Sequence, residues 1–160
     1  MALKPRFTRD RHGRFHPRLS AQERQLLAGL PVQVLELLTA ADPSTRRLFP
    51  AAYPDDAEAE KEYRALVGES LLEHHRRALD SLAEGAMADT LEAEDLEQWM
   101  GALEVLRLVL GTQLQVTEDM TDIDPKDPRA PGFALYAYLS MVQDAVVDAL
   151  ASELSEGGKQ

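Results

Sequence analysis

The sequence predicts a mainly α-helical bundle with a short N-terminal β-hairpin or extended basic arm. The chain has 160 residues, 44% of them hydrophobic, which is enough for one independent core. From residue 19 onwards, apolar residues recur at the three-and-four spacing of amphipathic helices. The first 18 residues lack this spacing. We therefore expect a basic arm over residues 1–18, a helical bundle over 19–154 and a disordered tail over 155–160.

The arm contains two apolar anchors, Phe7 and Phe15, on either side of a turn signal at 11–13, Arg-His-Gly. It holds six basic side chains against one acid, which gives it a charge of +5. The whole chain carries −11, so the other 142 residues carry −16. We expect the arm to fold against an acidic body, either its own or that of a partner subunit.

The first half of the bundle contains clear helix boundaries. Ser20 and Glu23 form a capping box that opens the first helix, and Pro31 is expected to end or kink it. Asp42 followed by proline predicts a short helical turn, and Asp55 and Asp56 favour a helix start near residue 57. The inward residues expected on that helix, over about 57–82, are Tyr63, Leu66, Val67, Leu71, Leu79 and Leu82.

The second half predicts two more helices. Residues 91–116 carry the strongest apolar periodicity, and residues 117–132 read as an acidic, proline-containing loop. The last helix, 133–154, is apolar except for a narrow polar stripe of Ser140, Asp144, Asp148 and Ser152. Such a helix is expected at the centre of the bundle or at a two-fold interface. Its longest apolar run, 133–142, is shorter than a membrane span, so a cytoplasmic protein without a membrane segment is expected.

Motifs for catalysis or metal binding are not found in the sequence. Cysteine is absent, and His74 and His75 are adjacent on a helix, where they point in different directions and are expected on a solvated face. Three acids of the loop, Asp122, Asp124 and Asp127, lack the glycine and glutamate spacing of a calcium-binding loop. The prediction is a non-enzymatic protein with no cofactor.

Two groups of residues are the candidates for a functional role. Arg107 lies within an apolar run and is predicted to pair with Asp144 or Asp148 of the last helix, with ligand binding as the alternative. The segment around 49–54 holds two prolines and two aromatic rings, which we expect to be buried. The partner-binding candidates are Arg47, Phe49, Tyr53, Arg6, Arg9, Arg11 and Arg14.

Three stretches in this order and spacing support a family resemblance. They are 47–66 (RLFPAAYPDDAEAEKEYRAL), 99–119 (WMGALEVLRLVLGTQLQVTED) and 138–150 (YLSMVQDAVVDAL). The chain resembles an actinobacterial family of domains of unknown function, often encoded beside the ClpS protease adaptor, to which the actinomycete oxidative-stress regulator is similar. The resemblance implies binding to a partner such as a sigma factor. It also implies redox sensing by a cysteine pair, which a chain without cysteine does not carry over.

Three functions remain open at this point. The first is a regulatory or adaptor protein that works through protein–protein contacts, with a homodimer as a further expectation. The second is a small-ligand protein or an enzyme whose site is built from scattered polar residues. The third, less expected because the body is acidic, is nucleic-acid binding through Arg6, Arg9, Arg11 and Arg14.

Overall fold

A computed structural model describes residues 4–117 and 123–157. Two short strands precede four long helices, and a 3-10 helix lies between the first and second of these. The elements are β1 (Phe7–Arg9), β2 (Phe15–Pro17), α1 (Ala21–Thr39), the 3-10 helix (Pro43–Leu48), α2 (Ala57–Gly85), α3 (Ala93–Leu114) and α4 (Ala130–Gly157). The predicted mainly α fold with an N-terminal hairpin is confirmed. α4 continues into the segment expected to be a disordered tail.

The N-terminal arm forms a hairpin that belongs to the core. β1 pairs antiparallel with β2, and Gly13 adopts the positive φ of 82° that the predicted turn requires. Phe15 and Leu91 exchange two backbone hydrogen bonds of 2.8 Å, and the Phe7 ring lies edge-on to the buried Trp99 at 5.7 Å. The arm therefore folds against the body of its own chain.

The first helix begins at the expected capping box, with Ser20 Oγ accepting from the Glu23 amide at 3.1 Å. Of the two effects expected of Pro31, an end to the helix does not occur, because α1 continues to Thr39. Pro31 is buried on the same face as Leu27, Val34 and Leu38. Proline lacks a backbone N–H, so the helix loses one hydrogen bond at this position. Packing of this apolar face stabilises the helix beyond the proline.

The third helix is the centre of the bundle. α3 packs against α1, α2, α4 and the 3-10 helix. The last helix was expected either in this position or at a two-fold interface. α4 does not hold the central position, and it packs mainly on α3 and buries one face through Leu139, Val142 and Val146. Residues 130–154 of α4 are long and apolar enough to cross a membrane by length and composition, with a mean hydropathy of 1.2, and 22% of the 18-residue window that meets this criterion is buried within the protein. The expectation from the sequence rested only on the apolar run 133–142, which is shorter than this stretch and too short to span a membrane.

The second helix is packed along only half of its length. Leu79 and Leu82 are buried as predicted, because they face α1 and α3. Leu66, predicted to point inward, is 82% exposed, and Tyr63, Val67 and Leu71 are half-buried. The helical period identifies a common face, but the partner elements do not reach the N-terminal half of α2.

Candidate functional site

The bundle is open between its first and last helices. α1 packs mainly on α2 and α4 mainly on α3, whereas α1 and α4 hardly touch each other. Their gap forms a groove of about 140 Å³ whose floor is α3. The lining residues are Leu30, Gln33, Val34, Leu37, Leu106, Val109, Leu110, Gln113, Leu135 and Leu139. Eight of these ten side chains are aliphatic and none is charged, so the groove offers apolar contact, one amide on the α1 wall and one amide on the α3 floor.

A polar bridge joins α1 to α4 at one end of this gap. Arg6 forms an ion pair with Glu23 of α1, and its guanidinium lies 5.6 Å from the centre of the Tyr138 ring of α4. The Tyr138 hydroxyl donates to Glu23 Oε1 at 3.0 Å. Burial and this bond to a carboxylate raise the Tyr138 pKa above its ordinary value. Burial also acts to raise the Glu23 pKa, but the bonds from Ser20, Arg6 and Tyr138 outweigh it, so the pKa is lowered.

The hairpin occupies the neighbouring part of the gap. β1 packs on α4, and a second cavity of about 390 Å³ lies between them, bordered by Arg6, Arg9 and Asp148 among others. Arg11 and Arg14 lie at the exposed turn end of the hairpin, with Arg14 Nε 3.8 Å from Glu92 Oε1. The four arginines proposed as one basic surface are therefore divided between two environments, and Arg6 is used in a contact with the bundle itself.

The predicted pair of Arg107 with Asp144 or Asp148 is wrong. The Arg107 guanidinium donates to the amide oxygen of Gln143 and lies 3.5 Å from Glu104, and it stacks 5.2 Å from the Tyr136 ring. Gln143 and Tyr136 are on the side of α4 next to α3, whereas both aspartates are exposed on its outer side. Spacing along α4 placed the aspartates on a common face but did not say that this face points away from α3.

The predicted aromatic segment is only partly packed. Phe49 is half-buried with its ring edge-on to His75 at 5.7 Å, but Tyr53 is 50% exposed and contacts Tyr63 alone among rings. The expectation of two buried rings is therefore wrong for Tyr53, whose described ring contact, Tyr63, lies on the partly exposed N-terminal half of α2. Arg47, on the 3-10 helix, is exposed.

His75 also departs from the expectation of a solvated histidine pair. His74 is exposed, but His75 is half-buried and its Nε2 lies 3.1 Å from the Leu48 carbonyl. Burial lowers the His75 pKa. Within residues 4–117 and 123–157, no three histidine or acidic side chains converge as a metal site would require. Asp124 and Asp127 cap turns in the loop, and Asp122 lies outside the described residues.

Sequence reasoning missed the groove, although a signal for it exists. Leu26, Leu30, Gln33 and Leu37 follow the three-and-four spacing along one flank of α1, beside the buried face of Leu27, Val34 and Leu38. An apolar face wider than one neighbouring helix can cover indicates a second contact. The sequence does not show that α4 leaves this flank open.

Comparison with known proteins places the chain in a family. Residues 4–150 match the family model described as "Domain of unknown function (DUF2017)". The chain belongs to this family. No curated protein and no solved structure matches it. The expectation that the chain is a member of a family of domains of unknown function is therefore confirmed. The description of this family assigns no activity.

Proposed function

We propose that this DUF2017 protein is a non-enzymatic regulatory or adaptor protein that binds a partner protein through the groove between α1 and α4. The observation that carries the proposal is the groove itself, in which eight of the ten lining side chains are aliphatic and none is charged. Exposed apolar grooves between helices are typical docking sites for a further helix. Catalysis would require convergent polar or titratable groups, and the lining supplies two glutamines.

The occupant that fits best is an amphipathic helix with basic residues on its outer face. Both walls and the floor of the groove are helices, so a helix can pack along them with apolar anchors at three-and-four spacing. The body carries −16 outside the arm, which favours a cationic partner surface. The volume of about 140 Å³ is smaller than the roughly 300–1,000 Å³ of small-molecule sites. Anchoring side chains therefore suit it better than a free ligand.

The resemblance described above supplies the first partner to test. It implies a sigma factor and a role in transcription or stress regulation, and we place that role in the cytoplasm. Regulation here does not use a thiol switch, since the chain has no cysteine. Nucleic-acid binding is less well supported, because Arg6 is bonded to Glu23 and the rest of the chain is acidic.

Site-specific photo-crosslinking in the native host tests the proposal. A photoreactive residue replaces Gln33 on the α1 wall or Gln113 on the α3 floor, and a control replaces Glu69 on the exposed half of α2. We expect both groove positions to crosslink to the same segment of one protein, and this segment to show apolar residues at helical spacing. The Glu69 position should not reach it. Crosslinks from the groove that are no more selective than those from Glu69 would contradict the proposal.

A matched pair of substitutions on α1 then tests the site. Gln33→Lys places a charge at the groove wall, whereas Gln25→Lys makes the same change at an exposed position outside the lining. We expect the first to reduce the crosslinking from Gln113 about tenfold or more, because a lysine would be desolvated beside the apolar anchors. The second should leave the yield unchanged. Equal yields from the two variants would exclude the groove as the contact surface.

A further inference from the structure

The N-terminal part of α2 is only partly covered by the rest of the protein. The buried residues of this helix all lie near its C-terminal end and are Ala78, Leu79, Leu82 and Gly85. Residues 57–77, which precede them and which we call the open segment, include none that is buried. Phe49 and Tyr53 lie on one side of the open segment, whereas Leu66 in its middle is 82% exposed. Helices gain most of their stability from tertiary packing, so a further helix would stabilise this segment.

The open segment is acidic at one end and basic at the other. Residues 57–62 hold three acids against one lysine, a charge of −2. Residues 73–77 hold two arginines against one glutamate, a charge of +1 with both histidines neutral. Within residues 4–117 and 123–157, Glu58, Glu62 and Arg76 form no ion pair, and Arg77 lies 3.6 Å from an exposed glutamate of its own helix. Opposite charges at the two ends are therefore available to a partner.

We propose that the open segment pairs antiparallel with the open segment of a second copy of this chain. Charge complementarity identifies the occupant, because a segment with opposite ends complements itself only when one copy is turned end to end. A two-fold pair in which Leu66 packs against Ser70 of the other copy places residues 58–62 opposite residues 74–78. The serine is small, so the two helices can approach closely around the leucine.

This register matches the charges along the whole open segment. Arg76 of the second copy lies level with residue 60, between Glu58 and Glu62, and the two-fold axis repeats this contact at the other end. Within the open segment no acidic residue lies opposite another acidic residue. The groove lining contains no residue of α2, so this contact goes beyond the proposed function and does not depend on it.

The same charges argue against other ways of covering the open segment. A parallel pair in register would place every acid beside its own copy and every arginine beside its own copy, and like charges repel each other. A uniformly cationic helix would suit the acidic end but would be repelled by Arg76 and Arg77. A uniformly acidic helix would be repelled by the other end. An antiparallel second copy complements both ends at once.

Sedimentation equilibrium of full-length charge variants tests this inference. We expect the wild-type chain to form a concentration-dependent dimer that is weakened by salt. The variants Glu58→Lys/Glu62→Lys and Arg76→Glu/Arg77→Glu should each weaken dimerisation about tenfold or more, because each places like charges opposite each other. An equimolar mixture of the two variants should restore the dimer, since every acidic end then meets a basic end. A parallel pair would instead leave the two separate variants as dimeric as the wild type.

Two further variants separate this contact from general effects of charge and folding. Glu94→Lys/Glu97→Lys reverses two exposed acids on α3 and should leave the dimer unchanged. Leu66→Asp should abolish the dimer, because it buries a charge at the centre of the pair, while its unfolding temperature as a monomer should stay that of the wild type. A wild-type chain that is monomeric at every concentration, or a mixture that stays monomeric, would overturn the inference. So would an equal loss of dimer in the α3 variant.

Discussion

Gly85, the last residue of α2, shows how one missing side chain shapes the core. A Cβ atom at this position would lie 2.7 Å from Trp99 Nε1 and 3.1 Å from a methyl carbon of Leu91. Trp99 is fully buried, so its ring has no room to move away. We expect Gly85→Ala to lower the free energy of unfolding by about 1–3 kcal/mol, the usual cost of overpacking. Urea unfolding followed by circular dichroism measures it.

The control for this substitution is Gly68→Ala in the same helix. No atom lies within 4 Å of a Cβ at Gly68, so the added methyl meets open space. Alanine is the better helix former, and this variant should gain about 0.5–1 kcal/mol. The same glycine-to-alanine substitution is therefore expected to lower the free energy of unfolding at position 85 and to raise it at position 68. A Gly85→Ala protein as stable as Gly68→Ala would show that Trp99 is less tightly packed than the structure indicates.

Asp10 holds the hairpin turn and gives a prediction about pH. The side-chain bond from His16 is the largest cause that lowers its pKa, from 3.8 to about 2, and the amides of Arg14 and His12 add to it. A lowered pKa means that the carboxylate stabilises the hairpin above its ordinary pKa, and that this contribution is lost as the pH falls towards 2. We expect His16→Ala to raise the Asp10 pKa towards 3.8 in a carboxyl NMR titration.

His12→Ala is the matched control, because His12 contacts Asp10 through its backbone amide and not through its ring. The Asp10 pKa should stay near 2 in this variant. A pKa that moves equally in the two variants would assign the shift to the turn backbone instead of the His16 ring. The sequence showed the turn and its glycine, but the His16–Asp10 bond of 2.8 Å depends on the strand pairing that brings the two together.

At the scale of elements, the segment between the 3-10 helix and α2 allows a direct comparison of two aromatic residues. Phe49 is half-buried against His75, whereas Tyr53 is half exposed. We expect Phe49→Ala to lower the free energy of unfolding by about 1–2 kcal/mol, which is less than the loss when a fully buried phenylalanine is replaced by alanine. Tyr53→Ala should change it by less than about 0.5 kcal/mol. Thermal unfolding of both variants checks this, and equal effects would contradict the burial described here.

Helix starts could be predicted from the sequence, because caps are local. Ser20, Asp42 and Asp56 each accept a backbone amide at the positions expected from their neighbours. Pro31 and Leu66 could not be placed correctly, because their environment is set by distant elements. Packing on α1 overrides the proline, and nothing in the spacing of α2 reveals that its N-terminal half extends past its neighbours.

At the scale of the whole molecule, the helical class and the hairpin could be predicted, but not the order of packing. The last helix was expected at the centre or at a two-fold interface because its polar stripe is narrow, yet α3 has the central position and α4 keeps an open side. The groove arises from that difference. It depends on which helices touch, and a periodic pattern fixes only the residues that share a face.

The contact between Glu23 and Tyr138 joins the first helix to the last across 115 residues of sequence. Glu23 also caps α1 and pairs with Arg6, so one carboxylate ties together the hairpin, α1 and α4 at the closed end of the groove. We expect a double-mutant cycle of Glu23→Gln and Tyr138→Phe to give a coupling energy of about 1 kcal/mol at pH 7. Because the Glu23 pKa is lowered, this coupling should be present above its ordinary value of 4.5 and shrink as the pH falls below it.

The matched control is the cycle of Glu60→Gln and Tyr53→Phe. Glu60 accepts from the Tyr53 backbone amide at 2.7 Å, so removal of the Tyr53 hydroxyl should not affect it and the two changes should be additive. Urea unfolding of the four proteins in each cycle gives both coupling energies. Additive effects for Glu23 and Tyr138 as well would show that α1 and α4 are held independently, and that the groove lacks a closed end. Coupling in the cycle of Glu23 and Tyr138, with additive effects in the control cycle, would identify the Glu23 bridge as the contact that sets the spacing of the α1 and α4 walls of the groove.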